Sequence, residues 1–519
     1  MLKVIDLAPD EIESLDPFHY GRDKLAIRFP QQEFFAPQSR LFTWSNDQAL
    51  ASYLSRFCST EAVASKHSPI VRYDIEMAKK FGPQGGHFTR SVLESKLKES
   101  YEFADAPRTY DTALRGRDAL LRMIAARIAK LGMPAVNWVP FTQDTAGGLP
   151  RGGRKTEWRN HVDGADYWRH VLPDLPSGRR QRGKDRVVHE DATLNVDYVQ
   201  PPLTAVREWL KSQFPTMFSA WHNPLSYKWP QITGQLIKGS TFLETDYSSM
   251  DNHFSWQTVE TVILPIFQLL LTEAEYWHFA SFVGELFTQP VFLGDQLWTG
   301  LHNLFSGQAI TNDFETYYDV CLYLGAHLEA GGSVRTFLTS FEALGDDVLY
   351  AADEDMCKRV YDLVVREATA NGLVLSTEKT RMQTGEARFC REVYYLALPR
   401  QVNDAGAVYV RPAYPPVLAL NNVLNPERPA DDLKDELLRD FTRLDNIEGY
   451  YRWSDVFNMI WSKMRVQTLP ASLAVRFEEL QLRDWWYRVH GTTYTLGQSI
   501  SANSYREHFQ QRWLPAVIY

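Results

Sequence analysis

The chain has 519 residues, 44% hydrophobic and 23% charged, ordinary values for a globular protein with more than one domain. A net charge of −9 excludes a uniformly basic nucleic-acid coat, although basic groups clustered in an internal channel remain compatible with an acidic exterior. The four cysteines (Cys58, Cys321, Cys357, Cys390) are far apart without metal-ligand spacing, which argues against a disulfide framework and for a reducing compartment.

The N-terminus turns acidic at Asp6, unlike a secretory signal. Ser45 can cap a short helix carrying Leu50, Leu54 and Phe57. A longer helix is predicted over 111–131, with Leu120, Ile124, Ile128 and Leu131 on one face and Gly132 and Pro134 ending it. Residues 142–190 are glycine-rich and basic: Gly147, Gly148, Arg151, Arg154 and Lys155, then Arg179, Arg180, Arg182, Lys184 and Arg186. An isolated basic run is usually a solvated face, but in a chain this acidic the clustering is more informative.

An apolar, β-favouring run from Thr241 ends on Asp246, and Asp251 follows five residues later. Residues 258–271 and 273–287 read as packing helices. The longest apolar run, 262–271, contains Pro265 and Gln268 and is too short to span a bilayer. Phe305 to Asn312, with Ser306-Gly307 near its start, is a glycine loop that opens a helical pattern. Phe337-Leu338 and Val348-Leu349-Tyr350 read as strands of a hairpin turning at Gly345-Asp346, with Asp346 and Asp347 at its tip. Adjacent carboxylates repel unless something positive sits on them, and a hard divalent cation with oxygen ligands suits them. An amphipathic helix over 353–370 ends at Asn371-Gly372. A strand over 373–376 then leads to Glu378-Lys379-Thr380. From about 412 the pattern is helical: Leu433, Leu437, Phe441 and Leu444 form one stripe, and Ser454 can cap a helix bearing Val456, Ile460 and Met464. Trp485-Trp486-Tyr487 reads as core. Tyr505, Phe509 and Trp513 would align on one face of a short helix before Pro515, so this aromatic tail should dock.

The order of strand-end Asp246, Ser306-Gly307 loop and helix, and Gly345-Asp346-Asp347 hairpin resembles the palm of viral RNA-dependent RNA polymerases. It is most like those of small double-stranded RNA viruses of the picobirnavirus and partitivirus type. Gly183-Lys184-Asp185-Arg186-Val187-Val188 is similar to the family's finger motif beside the nucleotide channel, and Phe389 to Tyr395 to its palm-to-thumb hairpin. The Gly147–Lys155 stretch is a looser match to the motif that admits the template. The resemblance implies an α+β, closed right-hand fold of fingers, a palm with an antiparallel sheet, and a helical thumb. The N-terminal region and fingers would take residues 1–205, the palm 206–255 and 296–405, a fingers insertion 256–295, and the thumb and tail 406–519.

The activity implied is template-directed transfer of ribonucleotides for transcription and replication of a viral RNA genome. Two cations stabilise the attacking and leaving oxygens in such chemistry, so carboxylates from two elements must meet at one point. Asp246 and Asp346 are the expected ligands of Mg²⁺, with Mn²⁺ as substitute, and Asp347 a weaker one because successive strand residues face opposite sides. By the same resemblance Lys184 and Arg186 contact the nucleotide, with Arg179, Arg180 and Arg182 as weaker candidates, and Lys379 sits near the pyrophosphate leaving group. Asp251 senses the ribose 2′-hydroxyl, where a bulky aromatic would suggest a reverse transcriptase. The family's Ser-Gly-x-x-x-Thr-x-x-x-Asn pattern is met at Ser306, Gly307 and Thr311, but Glu315 replaces the Asn. Asp251 and Glu315 would repel or share a proton, so Ser306, Thr311 or a shifted Asn312 is expected to complete the ribose site. A non-catalytic, capsid-associated RNA-binding protein on a decayed palm is the alternative from another class. The partners implied are template and product RNA, ribonucleoside triphosphates and a viral capsid protein, for a membrane-free monomer in the virion interior or host cytoplasm. The tail would dock on the thumb's outer surface or fold back toward the channel.

Overall fold

The computed structural model describes residues 2–463, apart from 29–38, 87, 103, 138–147, 150–171, 182–183, 428–435, 437–438, 441–442 and 445. Arg151 to Lys155, Arg182, Leu433, Leu437, Phe441, Met464, Trp485 to Tyr487 and the aromatic tail therefore lie outside the described residues.

The strands in chain order are β1 (Lys3–Asp6), β2 (Leu175–Gln181), β3 (Lys184–Glu190), β4 (Thr241–Thr245), β5 (Val291–Phe292), β6 (Gln296–Thr299) and β7 (Phe341–Leu344). They continue with β8 (Asp347–Ala352), β9 (Arg381–Thr384), β10 (Glu386–Phe389), β11 (Glu392–Tyr395), β12 (Arg400–Val402) and β13 (Val408–Val410). The central sheet is antiparallel, in the order β7-β8-β4-β9. Its strands alternate between two cores. Leu243, Val348 and Tyr350 pack with the helices Asp111–Leu131, Thr311–Glu329 and Glu354–Ala370. Phe242, Leu349 and Ala351 pack on the other face, with β10, β11 and the helices Asn46–Phe57, Ser68–Ala78 and Pro416–Leu424. A sheet buried on both faces explains why all five residues of β4 are buried, Glu244 included. Its carboxylate accepts a hydrogen bond from the Arg388 N–H at 2.7 Å.

Behind the sheet, the Asp111–Leu131 and Thr311–Glu329 helices cross at Gly116 and Gly325. A Cβ on Gly116 would lie 1.8 Å from the Cys321 carbonyl oxygen, and one on Gly325 1.8 Å from that of Thr112. Only the missing side chains let the backbones touch. At the N-terminus β1 joins β6 and β5 in a second sheet, so the first residues are tied to a segment almost 300 positions away.

Several local expectations hold. Ser45 caps Asn46–Phe57 in a capping box with Gln48. Gly132, at φ +79°, follows Asp111–Leu131, and Asp353 caps Glu354–Ala370, with Gly372 at φ +69° after it. Others are corrected. Phe337 ends a short helix, Val334–Phe337, started by a Ser333–Thr336 capping box; the strand before the hairpin is Phe341–Leu344. Residues 373–376 form a single bridge, Tyr247 to Leu375, rather than a strand. The helix expected over 258–271 contains a π turn, Val259–Ile263, just ahead of Pro265, which has no N–H to continue the ladder. Leu131 is exposed, and Ser454 lies inside the Trp453–Trp461 helix rather than capping it. Among the described residues no helix is long and apolar enough to cross a membrane.

Candidate active site

Thr245 of β4 pairs with Val348 of β8, so Asp246 and Asp347 end neighbouring strands at one edge of the sheet. Leu344 pairs with Asp347, which leaves Gly345-Asp346 as a two-residue turn. Gly345 stands at φ +60°, as the first position of such a turn allows, and this lifts the Asp346 carboxyl to the tip. The Thr311–Glu329 helix holds the turn from behind. Gly345 N–H donates to Thr316 Oγ1 at 2.8 Å. A Cβ on Gly345 would lie 3.0 Å from Asn312 Oδ1 and 3.4 Å from Glu315 Oε2.

Asp246, Asp346 and Asp347 line one cavity of about 430 Å³, together with Asp251. Burial, and then the charges of Asp347, Asp246 and Asp251, push the Asp346 carboxyl up to about 7. Asp347 also raises Tyr73 and Cys390, whereas the charges that act on Glu315 are those of Asp346, Asp251 and Asp319. Glu315 is held well above the usual carboxylate range by burial, with Asp346, Asp251 and Asp319 adding to it. The expected repulsion between Asp251 and Glu315 is thus present, and it acts in the same direction as burial.

Lys184 and Arg186 of β3 face the same cavity. Arg180 and Asp185 pair across the β2–β3 hairpin, which leaves the lysine and Arg186 to the cavity. Lys379 lies in the turn after the 374–376 segment and forms an ion pair with Asp246, as well as lining the cavity. Ser306 and Thr311 form another wall; Thr311 Oγ1–H donates to the Phe305 carbonyl at 2.8 Å. Gly307, at φ +105°, packs on β3: a Cβ there would lie 2.7 Å from the His189 carbonyl oxygen. Asn312 is exposed and does not line the cavity, whereas Glu315 does.

Sequence reasoning missed a second group of cations. Arg381, Arg388 and Arg391 line the cavity on the side of the β10–β11 hairpin. That hairpin turns at Cys390 and Arg391, both non-glycine residues at positive φ, +50° and +68°. The buried Glu244 in an otherwise apolar strand was the available signal, because a buried carboxyl calls for a donor nearby. His189 also lines the cavity and was not singled out.

No protein-family model matches the chain, and no curated protein matches it in sequence. Its structure nevertheless superimposes on the crystal structure of the RNA-dependent RNA polymerase of a human picobirnavirus with a TM-score of 0.76, at 15% identity and over 98% of both chains. The chain has a viral RNA-dependent RNA polymerase fold. An insertion-loop deletion mutant of a human picobirnavirus polymerase gives a TM-score of 0.71 at 16% identity, over 93% of this chain and 96% of that one. Asp246 directly follows β4 and Asp346 directly precedes β8, the two middle strands of the central sheet, a hundred residues apart in sequence.

The donor set suits Mg²⁺ chemically. Asp246, Asp346 and Asp347 offer carboxylate oxygens; burial and then the neighbouring carboxylates raise Asp346, and a bound cation would offset the repulsion among them. Among the described residues no three His, Cys, Asp or Glu side chains converge on one ion position, and the Lys379 ammonium sits on Asp246.

Proposed function

We propose that the chain is an RNA-directed RNA polymerase that joins ribonucleotides on an RNA template to transcribe and replicate a viral genome. The observation that carries this reading is the meeting of Asp246 and Asp346, from adjacent antiparallel strands, in a cavity also faced by Lys184 and Arg186. Asp246 and Asp346, supported by Asp347, would hold Mg²⁺ or Mn²⁺, and two such cations would supply charge stabilisation at the attacking and leaving oxygens. The protein's own groups do the rest by position and charge. Lys184 and Arg186 hold the triphosphate; Arg182, outside the described residues, is a weaker candidate for the same role. Lys379 exchanges its contact with Asp246 for the departing pyrophosphate, to which it can give a proton. Asp251 accepts a hydrogen bond from the ribose 2′-hydroxyl, with Ser306 and Thr311 on the facing wall.

The subdomain reading belongs to the same proposal: fingers within 1–205 and 256–295, palm in 206–255 and 296–405, thumb from 406. A closed hand is supported by contacts at the tip of the β2–β3 hairpin. There Gly85 N–H donates to the Arg180 carbonyl at 2.7 Å, and the Gln181 amide to Glu427 beyond the Pro416–Leu424 helix. A monomer acting in the virion interior or host cytoplasm, with a capsid protein as partner, follows from this reading.

The test is incorporation of labelled ribonucleotides by purified protein given RNA template and Mg²⁺. Asp246→Asn and Asp346→Asn should each abolish synthesis and leave template binding largely intact. Asp347→Asn should be milder and partly rescued by Mn²⁺. Near-normal synthesis by either of the first two variants would remove the assignment, and RNA binding without synthesis by the wild type would favour a non-catalytic RNA-binding protein.

A further inference from the structure

The cationic strand β3 and the Ser306–Gly307 loop meet at one residue, His189. Its backbone N–H donates to the Ser306 carbonyl at 2.8 Å, and its own carbonyl oxygen lies 2.7 Å from where a Gly307 Cβ would be. Its ring lies flat on Phe305, with centroids 3.9 Å apart and planes 3° from parallel, and Phe305 stacks in turn on His302 at 3.7 Å. On its other side the imidazole bonds to Asp174 through Nδ1. A carboxylate oxygen only accepts, so Nδ1 carries the proton. Asp174 is fully buried just ahead of β2, and its backbone bonds to Pro290 and Phe292. Nothing in the reaction described above uses either side chain.

A ring with one hydrogen-bonded edge and one stacked face has a single orientation. It joins the start of β2, the end of β3 and the loop carrying Ser306. Lys184 and Arg186 lie on the same strand as His189, five and three residues away. We propose that Asp174 and His189 are positioning residues for nucleotide use. They fix the spacing between the cations that hold the triphosphate and the loop that faces the sugar. The polymerase reading supplies the reaction here; the Asp174–His189–Phe305 contact stands without it.

Two measurements on the full chain test this. One is steady-state incorporation on a primed RNA template with the ribonucleotide varied; the other is equilibrium binding of a ribonucleoside triphosphate in Mg²⁺. His189→Phe keeps a ring for the stack but has no Nδ1, and Asp174→Ala removes the acceptor. Each should raise KM and Kd about tenfold and change kcat much less, as expected when a binding geometry loosens. Asp174→Asn retains an acceptor oxygen and should recover most of the loss. Urea midpoints on the same preparations separate positioning from folding. Unchanged KM and Kd in folded His189→Phe overturns the proposal. So does a lowered midpoint with no change in nucleotide affinity, the outcome for a purely structural pair. Should Asp174→Ala fail to fold, His189→Phe and Asp174→Asn decide alone. A wild type that binds nucleotide but never incorporates it would sink the polymerase reading and leave the Kd comparison decisive; one that binds no nucleotide would sink both.

Discussion

Replacing Gly325 with alanine is expected to destabilise the chain and to damage the site at the far end of the same helix. Two effects oppose each other. Alanine favours a helix interior over glycine by about 1 kcal/mol. The added Cβ, however, would lie 1.8 Å from the Thr112 carbonyl oxygen, where ordinary contact begins near 3.4 Å. That oxygen belongs to the first turn of a 21-residue helix and cannot swing aside as a side chain would. The helices must part by more than 1 Å, and a radial gap of 0.5–1 Å already forfeits about a quarter to a half of each dispersion contact it opens. Overpacking of this kind costs roughly 1–3 kcal/mol, and a clash with backbone belongs at the upper end, so after the helix gain we expect a net loss of about 2 kcal/mol. The Thr311–Glu329 helix also supplies Thr316, which holds the Gly345 N–H, so its displacement should reach Asp346 and lower incorporation. Urea unfolding and nucleotide incorporation on the same preparation are the assays. A variant as stable as the wild type, or more stable, would refute the close crossing.

The other predictions concern charge and sugar recognition. Lys184→Ala and Arg186→Ala should impair nucleotide use more than Arg154→Ala at saturating template; equal small effects on all three would make the basic run a solvated face. Asp251→Ala should relax preference for ribo- over deoxynucleotides, because the hydrogen bond it offers discriminates by about 1–3 kcal/mol; an unchanged ratio in direct competition would move selection elsewhere. Asp74 is buried against Tyr53 and the Val417 N–H, and burial raises its carboxyl to about 8. A folded pKa above the unfolded value means the folded state binds the extra proton, so stability should fall as pH rises from about 4 to 8, by several kcal/mol at most. Asp74→Asn should flatten that dependence; urea midpoints at pH 5.5 and 8 that differ equally in variant and wild type would contradict it.

The signals legible in the sequence were local ones. Ser45, Gly132 and Gly372 announce helix ends because capping depends on residues within one turn. Gly345-Asp346 announces a tight turn, and the order of acidic and glycine motifs was enough to suggest a polymerase palm. Local rules also misled. Phe337-Leu338 is apolar enough for a strand, yet a Ser333 cap made it helical and moved the strand four residues on.

What only the tertiary structure decided is which distant groups share a dielectric environment. Pairing of β4 with β8 puts Asp246 and Asp346 in one cavity although a hundred residues separate them. Burial, with Asp346 and Asp251 close by, raises the Glu315 carboxyl well above its usual range, which no pattern around residue 315 encodes. Asn312, one step along the helix and so about 100° round from the cavity-lining Thr311, is exposed and lies beside Gly345 without lining the cavity. The crossing at Gly116 and Gly325 and the stack of His189 on Phe305 likewise join segments whose separate sequences carry no sign of each other. Sequence sets which side chains are available and the local turns that present them; charge states and neighbours come from long-range packing, because desolvation depends on what the whole fold brings within a few ångströms.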